Sequence, residues 1–214
     1  MIATPARMIA NVAEHLQDDE IHVWRLDYRR QDGRAPLLRV LGAYLGTDPD
    51  GIALTEGEHG RPALAPPHDQ SLGFNWSHSG HQAVIAIGRR ITPGIDLEQR
   101  RARPRALDIA QHYFSADETA ALVALPAAER DVAFLELWTA KEAVLKALGR
   151  GIAFGLHRLS IAIHPQQLSL ERLEGDDVRA WQLQRLAIDS TLIAALAWRG
   201  DPRRVRHEVL ASDA

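Results

Sequence analysis

Apolar and polar positions alternate with a strand period over "IHVWRL" (21–26), then shift to helical spacing over "RAPLLRVLGAYLG" (34–46), where glycine stops the helix. "IALTEGEHGRPAL" (52–64) reads as a strand and a turn, and "SLGFNW" (71–76) and "HQAVIAIG" (81–88) read as further strands. The pattern then restarts. "ITPGIDLE" (91–98) alternates apolar and acidic residues as a strand does, and helical spacing follows around 104–112, 115–124 and 129–148. Strands are expected near 157–163, 168–174, 180–188 and 191–198. Strand–helix–strand–strand thus occurs roughly twice, with extra helices in the second copy. This predicts an α+β protein of two similar subdomains: an N-terminal extension (1–20), one half at 21–90, a second at 91–200, and a polar tail (201–214) expected to fray.

Composition narrows the classes. The chain has 214 residues, 46% hydrophobic and 25% charged, which suits an ordinary folded protein able to bury a full core. It has no cysteine, which excludes disulfides and thiolate metal sites and fits a reducing compartment, the cytoplasm. The first residues show no basic start followed by an apolar core, so no signal peptide is expected. The apolar runs "AVIAIG" and "LIAALAW" are too short to span a membrane. A net charge of -3 gives no bias toward nucleic acid, so any anion must be held by local charge. Of the 25 Lys and Arg residues only Lys141 and Lys146 are lysines, and both lie in "LWTAKEAVLKALG".

Four stretches carry candidate chemistry. In "GIDLE", Asp96 and Glu98 share one strand face and Ile95 and Leu97 the other; two adjacent carboxylates repel, and a hard cation relieves that repulsion, although a solvated strand face has the same pattern. On the helix near 129–148, Trp138, Glu142 and Lys146 are spaced i, i+4, i+8 and form one stripe, which equally describes an amphipathic surface with a Glu–Lys pair. "FNWSHSG" (74–80) offers hydroxyls, an imidazole and backbone N–H groups to a phosphate. Ser77 and His78 are neighbours on a strand and face apart, so they are no nucleophile–base pair, and no zinc pattern surrounds His78 and His81. "HGRPAL" (59–64) is a turn with one basic residue, Arg61.

Taken in order, "HGRP", "FNWSHSG", "GIDLE", "FSADE" and "WTAKEAVLKALGRG" resemble the 4'-phosphopantetheinyl transferase family, in its surfactin-synthetase-activator (Sfp-like) branch. The likeness covers about residues 34–200. It implies an intramolecular pseudo-dimer of two α+β halves, active as a monomer, with the active site in the cleft between them. It implies transfer of phosphopantetheine from coenzyme A to a serine of an acyl, peptidyl or aryl carrier protein, with Mg²⁺ and release of adenosine 3',5'-bisphosphate. By resemblance Asp96, Glu98 and Glu142 match the metal-binding acids and Lys146 the phosphate-binding lysine, with Glu142 the general-base candidate. Ser77, His78, Arg61 and Lys141 fall on coenzyme-contacting elements, while Trp76 and Phe74 read as core or wall.

The family usually has a basic helical segment after its first strand, and here "VWRLDYRRQDGRAPLL" passes almost directly from strand to helix; Arg29, Arg30 and Arg34 are the substitutes for gripping the 3'-phosphate. Carrier proteins of this class are acidic around the serine, so Arg100, Arg101, Arg103 and Arg105 in "QRRARPR" are expected to form a docking rim, with Leu122 and Leu125 receiving the carrier's apolar helix face. Another Mg²⁺-dependent phosphotransferase or phosphohydrolase, or an inactive carrier-binding module, are the alternatives.

Overall fold

The computed structural model describes residues 5–57 and 59–210. The first half runs β1 (Glu20–Asp27), α2 (Ala35–Leu45), a short hairpin β2 (Leu54–Glu56) and β3 (Pro62–Leu64), then a long hairpin β4 (Leu72–Ser79) and β5 (Gln82–Arg89). The second runs β6 (Gly94–Gln99), helices α3 (Ala106–Tyr113), α4 (Ala116–Ala124) and α5 (Ala127–Leu148), a short hairpin β7 (Leu159–Ile163) and β8 (Leu168–Leu173), and a long hairpin β9 (Trp181–Leu186) and β10 (Leu192–Arg199). A helix α1 (Pro5–Ala13) precedes the first half, inside the stretch read as an extension.

The antiparallel order β1-β5-β4 in one sheet is matched by β6-β10-β9 in the other, so both halves thread strand, helix, short hairpin and long hairpin in the same sequence.

Burial on alternate positions explains how the sheets stack. On β1, β4 and β5, Trp24, Phe74, Ile85 and Ile87 pack against Leu37 and Leu41 of α2. On β10, Ala195 and Ala197 pack with Val144 and Leu145 of α5. The opposite faces meet each other: Val23, Val84 and Ala86 lie in one cluster with Ile95, Leu97, Leu196 and Trp198. The layers are therefore helix, sheet, sheet, helix. Strands β5 and β10 are buried on both faces, which is why "AVIAIG" and "LIAALAW" read as unbroken apolar runs.

The tail expected to fray is corrected by the structure. Within 201–214, β11 (Arg204–Leu210) pairs in parallel with the outer edge of β1 from Glu20↔Arg204 to Leu26↔Leu210. Arg204 and Arg206 each reach the fully buried Glu20 at 2.9 Å, and Leu210 enters the first-half core. Its polar composition hid this, because what stabilises it is an unpaired strand edge and a buried carboxylate far away in sequence.

Candidate active site

The site is built where α5 crosses β6. A side chain at Gly94 would collide with the carbonyl oxygen of Ala143 and the amide of Ala147, so glycine is what lets the helix backbone lie against the strand. That close approach places Glu142 and Lys146 over the face of β6 bearing Asp96 and Glu98. Gly94→Ala is expected to lift α5 from β6 and lower turnover by about 100-fold, because an ångström of misplacement is enough for that; a circular dichroism spectrum and a turnover assay on the same sample check it.

Lys146 donates to Asp96 Oδ1 at 2.7 Å and to the carbonyl of Ile95 at 3.1 Å. Asp96 also accepts from the Ser77 hydroxyl at 2.8 Å, and Glu98 accepts from the Ser79 hydroxyl at 3.1 Å and from Arg103 at 2.7 Å. Glu142 is the exception: its Oε1 is buried without a hydrogen-bond partner. Burial first, and then the negative charges of Asp96 and Glu98, push its carboxyl up to about 7, against the opposing pull of Lys146. Among the described residues no group of three or more His, Asp or Glu side chains is gathered tightly enough to hold a metal ion. The oxygen-only donor set with one unsatisfied carboxylate oxygen nevertheless fits a hard divalent cation.

"FNWSHSG" divides between its two faces. Asn75, Ser77 and Ser79 face β6 and form the seam between the sheets: Asn75 Oδ1 accepts from the Ile95 amide at 2.9 Å and the Ser79 hydroxyl from the Gln99 amide at 3.1 Å. Ser77 is buried in that seam and holds Asp96, in place of the open phosphate contact expected of it. Phe74, Trp76 and His78 face the other way. Phe74 is core, as expected, whereas His78 is exposed and stacks on Tyr28 with ring centroids 4.5 Å apart. Partial desolvation, and then the charges of Lys146 and Arg30, hold His78 below its ordinary value.

Two expected coenzyme contacts are turned inward. Lys141 is fully buried; its ammonium bonds to Glu118 at 2.7 Å and to the carbonyls of Leu156 and Leu159 at 2.9 and 2.7 Å, and lies 5.0 Å from the Phe114 ring centre. Glu118 in turn caps α4 through Ser115 and accepts from the Ile161 amide at 2.8 Å. "FSADE" and "WTAKEA" are thus two ends of one buried network. Arg61 donates to the carbonyls of Phe74 at 2.8 Å and Pro93 at 3.0 Å and to that of Lys146, clamping the end of α5 to β4 and to the approach to β6. Burial lowers its pKa to about 10, which leaves it charged at neutral pH.

The other arginines separate as well. Arg34 is held by Glu56 at 2.8 Å on the exposed side of α2, while Arg29 and Arg30 remain exposed near His78 and Tyr28. Arg103 is not a free rim charge, since its guanidinium lies on Glu98; Arg100 and Arg101 are exposed. Leu122 is 1% exposed and cannot receive a partner, and Leu125 is partly buried beside Asp117 and Glu129, charges that an acidic carrier would oppose. Ser79 and Arg103 are site residues that local spacing missed. The hydroxyl two positions beyond Ser77, on the same strand face, was the available signal for Ser79; Arg103 had none.

A family model described as the 4'-phosphopantetheinyl transferase superfamily matches residues 92–197, which span β6, α5 and β10. The 4'-phosphopantetheinyl transferase HetI of Nostoc sp. is 33% identical over 203 residues, covering 92% of this chain and 84% of its own. The transferase Sfp of Bacillus subtilis is 30% identical over 151 residues (67% of this chain, 65% of its own), and psf-1 of Bacillus pumilus is 41% identical over 102 residues (48% and 41%). A solved holo-acyl-carrier-protein synthase of Thermotoga maritima superposes on 51% of this chain and 62% of its own at 17% identity, with a TM-score of 0.41. With a match running nearly end to end against HetI, and with "GIDLE" and "WTAKEAVLK" meeting in space inside the region the family model covers, this chain belongs to the 4'-phosphopantetheinyl transferase superfamily.

Proposed function

We propose that this protein transfers 4'-phosphopantetheine from coenzyme A to the serine of an apo acyl, peptidyl or aryl carrier protein, with Mg²⁺ held by Asp96, Glu98 and Glu142. The observation that carries the reading is the buried, unpartnered Oε1 of Glu142 facing the Asp96 and Glu98 charges. Bound there, a divalent cation supplies neutralisation of pyrophosphate charge.

The remaining work falls to the chain's own side chains. The serine oxygen forms a bond to the β-phosphorus of coenzyme A as the bond to the 3',5'-adenosine bisphosphate oxygen breaks. The serine proton passes to Glu142, directly or through one water. Lys146, part-exposed and within hydrogen-bond reach of Asp96, is placed to turn its ammonium toward the negative charge developing on the leaving phosphate. Ser77, Ser79 and Arg103 keep Asp96 and Glu98 in place. Arg61 fixes the end of α5 through the Lys146 carbonyl.

We assign the nucleotide end of coenzyme A to the surface around His78, which stacks on Tyr28 and feels the charge of Arg30. His78→Ala is expected to weaken coenzyme A binding by about 10-fold, the scale of one charged hydrogen bond, and to change dephospho-coenzyme A binding much less. Calorimetry with the two ligands checks it, and equal losses would move His78 onto the pyrophosphate.

Among the described residues no helix is long and apolar enough to cross a membrane. We place the protein in the cytoplasm as a monomer, since one chain contributes both sides of the seam. The deciding experiment mixes protein, coenzyme A, Mg²⁺ and an apo carrier protein and weighs the carrier. Gain of one phosphopantetheinyl arm supports the reading. Release of phosphopantetheine without a carrier would make the protein a hydrolase.

A further inference from the structure

On the flank of α5 turned away from β6, a cavity of about 690 Å³ opens between α4, the N-terminal half of α5 and β7. Its walls are helix stripes at i, i+4, i+8: Asp117, Ala121 and Leu125 on α4 and the turn that ends it, with Glu129, Ala133 and Leu137 on α5. The crests are alanines, so nothing bulky fills the space between the helices, and Ile161 and Ile163 of β7 line the floor. Ala121 is exposed, and Ala133 and Ile163 are half-buried. The α5 wall from Ala128 to Leu137 is about 14 Å long, two to three helical turns.

Charge selects the guest. Asp117, Glu129, Glu136 and Glu171 all border the groove. Glu136 is paired with Arg185 at 3.1 Å, while Asp117, Glu129 and Glu171 make no ion pair among the described residues. The groove is also pre-formed: Arg130 donates to the carbonyls of Leu122, Val123 and Leu125 at 3.1, 3.4 and 2.9 Å, which fixes the end of α4 to α5.

We propose that this groove docks a basic amphipathic helix of a partner protein, its apolar stripe seated between α4 and α5 and its Lys or Arg residues over Asp117, Glu129 and Glu171. Apolar anchors between two helix stripes with opposite charge at the rim are the requirements of helix-in-groove recognition. A second copy of this chain offers no helix with several free basic residues among the described residues: α1 and α2 carry one each, Arg7 and Arg39; α3 and α4 carry no Lys or Arg; in α5, Arg130 is held by α4 carbonyls and the lysines are buried or in the active site. An anionic membrane surface is repelled by the same carboxylates. The surface is separate from the cluster around Glu142, so this proposal does not rest on the transfer reaction.

The test uses the full-length protein and a fluorescent 14-residue Leu/Lys peptide with one apolar helical stripe as probe. Saturable 1:1 binding is expected, with amide shifts confined to α4, α5 and β7. Ala121→Trp fills the groove from an exposed position without changing charge and should raise the dissociation constant at least about 10-fold. Glu129→Gln with Glu171→Gln should raise it about 3- to 10-fold at low salt and less at high salt. Ala121→Trp should leave carrier modification unchanged, which confirms a folded variant. Equal binding of a Leu/Glu peptide, undiminished binding by folded Ala121→Trp, or displacement of the probe by an apo carrier protein would each overturn the proposal.

Discussion

Glu142→Gln should abolish carrier modification, with a loss of at least about 100-fold in turnover, and yet give a metal-free protein more stable than the parent above neutral pH. The sign follows from the raised carboxyl. Glu142 sits at about 7 in the folded protein against an ordinary value of 4.5, so folding favours its neutral form. The stability associated with that neutral form is complete below 4.5 and is lost as pH rises through about 7. Above that pH the parent carries a buried charge facing Asp96 and Glu98, and the amide does not. The difference is on the order of 2–3 kcal/mol. Thermal melts of parent and variant from pH 4 to 9 without metal should coincide at the acid end and separate toward the alkaline end. Asp96→Ala should lose turnover as deeply, but with a smaller gain in stability because Lys146 then loses its partner. Near-parental turnover of either variant at limiting Mg²⁺ would remove both residues from the site.

Lys141→Ala is the second large effect, and it falls on the fold. The change leaves Glu118 and the carbonyls of Leu156 and Leu159 buried without their cation. Breaking one side of a buried ion pair costs about 3–5 kcal/mol. For a chain of this size that lowers the melting temperature by roughly 6–20 °C. The double variant Glu118→Gln, Lys141→Met should recover much of the loss, since it removes the uncompensated charge. A coenzyme-contacting lysine would behave otherwise: its alanine variant would melt normally and show only a raised Michaelis constant. Lys146→Ala, at a part-exposed position beside Asp96, should follow that opposite pattern, with turnover lost and the melting temperature nearly kept.

These two lysines show how far local pattern reaches. Helical spacing put Lys146 on the face of Glu142, and the structure places it there beside Asp96. Spacing carried no information about what the other face would meet. It meets Glu118 of "FSADE" and the β7 strand, brought there by tertiary packing. Arg61 shows the same limit. A basic residue beside proline in a turn reads locally as an ordinary loop, and only the juxtaposition of β4, Pro93 and α5 shows that its guanidinium donates to backbone carbonyls.

What the sequence determined by itself was everything set by a local period: the repeated strand–helix order, the shared face of Asp96 and Glu98, the stripe of Glu142 and Lys146, and the split of "FNWSHSG" into two faces. Such features depend only on each element's own geometry, which side-chain alternation reports directly. Only the tertiary structure decided which face became site, seam or core. The close crossing at Gly94, the binding of Ser77 to Asp96 and of Arg103 to Glu98, and the addition of β11 to the edge of β1 join residues with no periodic relation along the chain. Burial and partner choice are properties of packed surfaces. A one-dimensional pattern shows that a face is apolar or charged, while what lies against it is decided by how the two halves pack together.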